Sequence, residues 1–136
     1  MEKWKQNTAL FGIGAVGYSL IEIAARGYTH WTMTLTGGIC AVSLYHAHRR
    51  LRERSVWFRC VTGAAMITAA ELAVGWIVNR MLRWNVWDYS DRFMNLFGQI
   101  CLRFSIYWFG INLLLIPVFK MLDGRVFKTA NKAKAQ

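Results

Sequence analysis

The sequence predicts an all-α polytopic membrane protein with four transmembrane helices. Three observations carry that reading. Hydrophobic residues make up 55% of the 136 and aromatics 15%. The 17 Lys and Arg are gathered between long apolar runs rather than spread along the chain as on a basic soluble protein. A single Pro and so much apolar surface exclude a disordered chain.

A helix crossing the hydrocarbon needs about 20 mostly apolar residues. Four stretches supply them, approximately residues 8–27, 31–47, 56–78 and 97–122. The first follows the positively charged start MEKWKQNTAL and ends without a small-residue cleavage site, so it reads as a retained helix and not a removed signal peptide. The second is the shortest and most polar, with Thr32, Thr34, Thr36 and the pair Gly37-Gly38. Between the second and third lies the basic loop 48–55, HRRLRERS. Between the third and fourth lies the aromatic-rich loop 79–96, and a basic tail, 123–136, closes a single domain spanning 1–136.

Orientation follows from where the cations fall. With four spans, both termini share a side with the middle loop. That side carries Lys3, Lys5, Arg49, Arg50, Arg52, Arg54, Arg59, Lys120, Arg125, Lys128, Lys132 and Lys134; the other carries only Arg26, Arg80, Arg83, Arg92 and Arg103. The chain is therefore expected in a bacterial cytoplasmic membrane with both termini and the basic loop cytoplasmic. In the outer loop, Trp84, Trp87, Asp88 and Tyr89 form an interfacial belt or a lid folded over the helices, aromatic rings being suited to the half-wet headgroup level. Ser90 or Asp91 is placed to cap the fourth helix.

Several chemistries are excluded. Gly12, Gly14 and Gly17 spell G-x-G-x-x-G, but no strand precedes them and no βαβ unit surrounds them, so they read as small residues on a packed helix and not as a dinucleotide loop. Cys40, Cys60 and Cys101 are far apart, and His46 and His48 point to different helix faces, so neither a disulfide framework nor a metal site is expected. No nucleophile–base pair indicates an enzyme, no cofactor is implied, and no groove-reading motif accompanies the basic charge, which excludes nucleic acid as a partner.

Ionised side chains within hydrocarbon cost several kcal/mol and face the protein interior with partners. Four occur here: Glu22, Arg26, Glu71 and Arg103. Their positions put them in one layer of the outer half of the membrane. Glu22 and Arg26 are i,i+4 with the acid first, the favourable order. Asn95, Gln99, Arg103 and Tyr107 are each four apart and form a polar stripe on the predicted fourth helix; Gly75 and Asn79 follow Glu71 at one-turn intervals. Two functions fit. In the first, Glu22 and Glu71 bind a proton, a cation or a cationic substrate, with Arg26 and Arg103 as counter-ions and Asn95, Gln99 and Tyr107 as hydrogen-bonding groups. In the second, two acids against two arginines only fix helix register.

A resemblance then comes into view. Glu71-x-x-x-Gly75, Trp87-Asp88-Tyr89-Ser90, the run Asn95-Leu96-Phe97-Gly98-Gln99-Ile100-Cys101-Leu102 and Ser105…Trp108, together with Gly17-Tyr18-x-x-x-Glu22 and Arg26-Gly27, resemble the type IV (CmpB-like) ABC-transporter family of small integral membrane permeases. The first loop, YTHWTMTLTGG, departs from the proline-containing form usual there. The resemblance implies a small transporter or permease-like subunit. No Walker motif is present, so any ATPase would be a separate subunit, for which the basic loop offers a docking point. Four short helices leave little room for a complete path, so a homo-oligomer within the lipid bilayer is expected. The alternative is a non-transporting scaffold or accessory protein.

Overall fold

The computed structural model describes residues 2–128, so the tail cations Lys132 and Lys134 lie outside the described residues. Four helices run Lys3–Arg26 (α1), Trp31–Arg50 (α2), Val56–Gly75 (α3) and Leu102–Met121 (α4). α3 and α4 each continue into a wider i→i+5 turn, Trp76–Met81 and Leu122–Phe127.

The helix ends are set by local chemistry. α1 begins at Lys3, ahead of its apolar run, and stops at Gly27, whose φ of 80° is left-handed and whose N–H reaches Ile23 O at 2.8 Å. At the start of α2 the His30 ring accepts from the Thr32 N–H. Ser55 caps α3 by accepting from the Phe58 N–H at 3.2 Å, which satisfies one of the four free donors of a helix start.

α1, at 24 residues, and α3 and α4, at 26 each with their wider turns included, are long and apolar enough to cross a membrane. The chain is thus an all-α integral membrane protein with three such helices. α2, at 20 residues, has comparable length but is interrupted by threonines, histidines and arginines. Large apolar side chains such as Ile13, Val16, Leu20, Ile39, Val61, Ile106 and Leu114 point outward, as a lipid-facing surface requires.

The helices pack as two hairpins, α1 on α2 and α3 on α4, joined along the α2–α3 seam. The first seam depends on small residues. A Cβ on Gly14 would collide with Ala41 and the Gly37 carbonyl, and one on Gly37 with Tyr18; Gly12 and Gly17 face open space. Of the three glycines in the fingerprint-like stretch, Gly14 alone is a packing residue.

The principal correction to the sequence reading lies before α4. A helix was expected from residue 97; it begins at Leu102, with extended Cys101 as N-cap in place of Ser90 or Asp91. The reason is conformational. Met94 and Phe97 have positive φ and Gly98 sits at +70°, values a right-handed helix does not admit. The chain instead folds back over one end of the helices. Tyr89 N–H reaches Gly98 O at 2.8 Å, Leu96 N–H reaches Ile100 O at 2.9 Å, and the Trp87 indole N–H donates to Gln99 O at 2.9 Å. Val86, Trp87 and Tyr89 form the buried underside of this lid.

Candidate intramembrane charge site

Glu71 lies deep among the helices. It comes from α3 and is 1% exposed. Its Oε1 accepts from the Tyr18 hydroxyl of α1 at 2.8 Å, and its Oε2 from the Trp108 indole N–H of α4 at 3.1 Å. Tyr18 and Trp108 stack on each other, with centroids 5.4 Å apart. Three helices therefore meet on one carboxyl group, and a carboxyl with a donor on each oxygen is well placed in a buried site. Among the described residues no Lys, Arg or His lies within ion-pair distance of it.

One turn beyond Tyr18, Glu22 is buried and pairs with Arg26 at 3.3 Å, the expected i,i+4 contact. Arg26 has an unusual environment. Its guanidinium carbon lies 4.9 Å from the Tyr89 ring centre, 5.1 Å from Phe104 and 5.5 Å from Trp87. None of its three buried nitrogens makes a hydrogen bond among the described residues, and neither does the buried Tyr89 hydroxyl. Ring quadrupoles and one carboxylate take the place of the usual hydrogen-bond acceptors. The lid residues Trp87 and Tyr89 thus close over Arg26.

The remaining predicted site residues separate from this centre. Arg103 and Tyr107 are exposed on α4, and the Arg103 Nε donates to the Tyr107 hydroxyl at 2.8 Å on the outer face of the helix. Arg103 is not a counter-ion to either glutamate, so the expected balance of two acids and two arginines becomes two acids and one arginine. Asn95 and Gln99 precede the helix and cannot share its stripe. Asn95 pins the lid, donating to Ser90 O at 3.1 Å and Arg92 O at 2.9 Å and accepting from Gly98 N–H at 3.1 Å. Gln99, buried, accepts from Asn79 Nδ2 at 2.8 Å and donates to Phe97 O at 2.9 Å. Asn79 in turn accepts from the Val86 N–H at 2.7 Å, tying the end of α3 to the lid.

The other lid residues divide by exposure. Trp84 is 47% exposed and belongs to an aromatic group with His30 and Trp31. Asp88 is exposed; it accepts from the Ser90 N–H at 2.9 Å and from the Ser90 hydroxyl, and these donors hold its carboxyl below the ordinary range.

Sequence reasoning did not place Tyr18, Trp108 or Phe104 in the site, although Tyr18 and Trp108 belong to the motifs that carry the resemblance. Tyr18 carried a usable signal, since it is four residues before Glu22 and so on the same helix face. Phe104 carried none and Trp108 only its place in the resemblance, because their register depends on where α4 begins. Among the described residues no group of three or more His, Cys, Asp or Glu is arranged to hold a metal, and the three cysteines are free and buried.

A family model described as "Putative ABC-transporter type IV" matches residues 8–135. No curated protein and no solved structure matches the chain. With nearly its whole length covered, the chain belongs to that type IV ABC-transporter family.

Proposed function

We propose that the protein is a permease-like subunit in which Glu71 is the group that takes up and releases a proton or cation within the membrane. The observation that carries this reading is the isolation of Glu71: an acid buried among three helices, contacted by two neutral donors and, among the described residues, paired with no cation. Intramembrane ionisable residues without a structural counter-ion mark ion and proton pathways. Glu22 and Arg26 neutralise each other beside it, and the lid shuts the site at its near end.

In this reading α2 is a fourth crossing, both termini and the basic loop are cytoplasmic, and the lid faces outward from a bacterial inner membrane. The subunit works with copies of itself, and a separate ATPase docks at the basic loop. Its role is binding and passage rather than bond chemistry.

A second reading has its own support: each Glu71 oxygen has a donor, as in a network that only locks three helices in register. Proton entry into liposomes loaded with a pH-sensitive dye, driven by an imposed potential, separates the two. Glu71→Gln should abolish flux while leaving the unfolding midpoint within a few degrees of the parent. Unchanged flux with a lowered midpoint would establish the locking role instead.

A further inference from the structure

The end of the molecule opposite the lid holds a cleft of about 690 Å³ between α2, α3 and α4. Its lining includes Arg49, Arg52, Arg59, Lys120 and Lys128, with Glu53 and Asp123 as the only acids among the described residues. Glu53 pairs with Arg52 at 3.1 Å, and Asp123 accepts from the Tyr45 hydroxyl, to which Arg49 donates at 3.4 Å. Among the described residues, Arg49, Arg59, Lys120 and Lys128 have no acidic partner, and the Arg59 Nε is buried without a hydrogen bond. Five cations against two acids leave the cleft net positive, and the excess cations repel one another unless an anion joins them.

A second, independent observation comes from His48, which lines the cleft and is 3% exposed. The Asn112 Nδ2 donates to Trp108 O at 2.8 Å, which fixes the amide orientation, because a carbonyl only accepts. Asn112 Oδ1 must then accept from His48 Nε2, 2.9 Å away. The proton of neutral His48 is thereby assigned to Nε2, and Nδ1 is left as a buried acceptor with no partner among the described residues. The cleft offers cations for an anion, and His48 on its wall carries an unmatched buried acceptor.

We propose that this cleft binds a phosphoglycerol group, the phosphate held by Arg59, Lys120 and the neighbouring cations and a glycerol hydroxyl donating to His48 Nδ1. The cleft lies where α2 ends and α3 begins, at headgroup level if the helices span. Basic pockets between membrane helices take anionic headgroups in this way. The group can come from phosphatidylglycerol or from free glycerol 3-phosphate; the site chemistry is the same.

The test uses the full chain in nanodiscs of phosphatidylcholine with added phosphatidylglycerol, with retained lipid read by native mass spectrometry after extraction. Phosphatidylglycerol should be retained over phosphatidylcholine. Arg59→Gln with Lys120→Gln should weaken that retention roughly 10- to 30-fold, while Arg80→Gln with Arg83→Gln, the same charge change at the lid end, should not. His48→Phe should reduce retention of phosphatidylglycerol but not of phosphatidic acid, which lacks the hydroxyl. Displacement of the lipid by glycerol 3-phosphate would assign the site to the soluble ester, and resistance to it would assign the site to the lipid. Equal retention of both lipids with no effect of glycerol 3-phosphate overturns the proposal. So does loss of retention in the control pair equal to that in the cleft pair. Unfolding midpoints in pure phosphatidylcholine, expected to be alike for the two arginine and lysine pairs, exclude misfolding as the cause of their difference; His48→Phe loses its bond to Asn112 Oδ1 and is judged by the contrast between the two lipids within that one variant.

Discussion

Trp108 shows how much one donor matters in a buried site. Among the described residues its indole N–H is the only group meeting Glu71 Oε2, and its ring is the surface on which Tyr18 stacks. Trp108→Phe keeps a ring but removes the donor. Hydrogen bonds between membrane helices contribute about 0.6 to 2 kcal/mol, and stranding an acceptor on a carboxyl pushes the cost to the upper end. A loss of about 1–2 kcal/mol is expected, read by chemical unfolding in micelles. In a Glu71→Leu background the same substitution should cost measurably less, because the shared contact is already gone. At this scale the sequence was legible where partners are close along the chain. Glu22 and Arg26 share a face four residues apart, and periodicity alone pairs them. Tyr18 and Trp108 stand 53 and 37 residues from Glu71, and no local pattern encodes which side chains of other helices reach a buried acid. Arg103 failed for the opposite reason. Charge within an apolar run argues for burial, yet a long side chain near a helix end satisfies itself on the surface, here against Tyr107.

Among the elements, the α1–α2 seam and the lid make opposite demands on the chain. The seam needs backbone proximity: Gly37 lies against Tyr18, so an added methyl displaces the residue that positions Glu71. Gly37→Ala should lower stability by about 1–3 kcal/mol, the usual cost of overpacking. Gly17→Ala, facing open space on the adjoining helix, should leave the unfolding midpoint nearly unchanged. The lid needs backbone shapes that a helix forbids. Helices α1 to α3 were readable because each is an apolar run bounded by polar or capping residues. The start of α4 was misread because Leu96, Phe97, Ile100 and Cys101 are apolar and so continue the hydrophobic run backwards. Hydropathy carries no information about the sign of φ, which Gly98 and its neighbours set here. The Gln99 and Asn95 side chains, taken from the expected stripe, serve the lid instead.

Across the whole molecule, charge and apolar surface are sorted along one axis. The lid end carries the Glu22–Arg26 pair and the buried Glu71; the other end carries the cation-lined cleft; lipid-facing side chains lie between. That sorting was legible in the sequence because it depends on composition by segment and not on register. It predicts a definite sidedness in the cell. A cysteine at Glu53 should react with a membrane-impermeant maleimide only after permeabilisation, and one at Asp91 in intact cells. The native Cys40, Cys60 and Cys101 are buried and give little background.

The widened turn Trp76–Met81 has a consequence for how the helix keeps its polar side chains in line. An α-helix advances about 100° per residue, so positions four apart creep by about 40° at each step, and Glu71, Gly75 and Asn79 would fan around a uniform helix. Bonding of the i→i+5 kind, seen from the Leu82 N–H to Ile77 O at 2.9 Å, loosens the winding and takes out part of that creep. The turn acts as a phase correction: Asn79 is swung back to meet Gln99 and the Val86 N–H. Rewinding those six residues by one hydrogen-bond register would rotate Asn79 off the lid, unlatching it without moving Glu71.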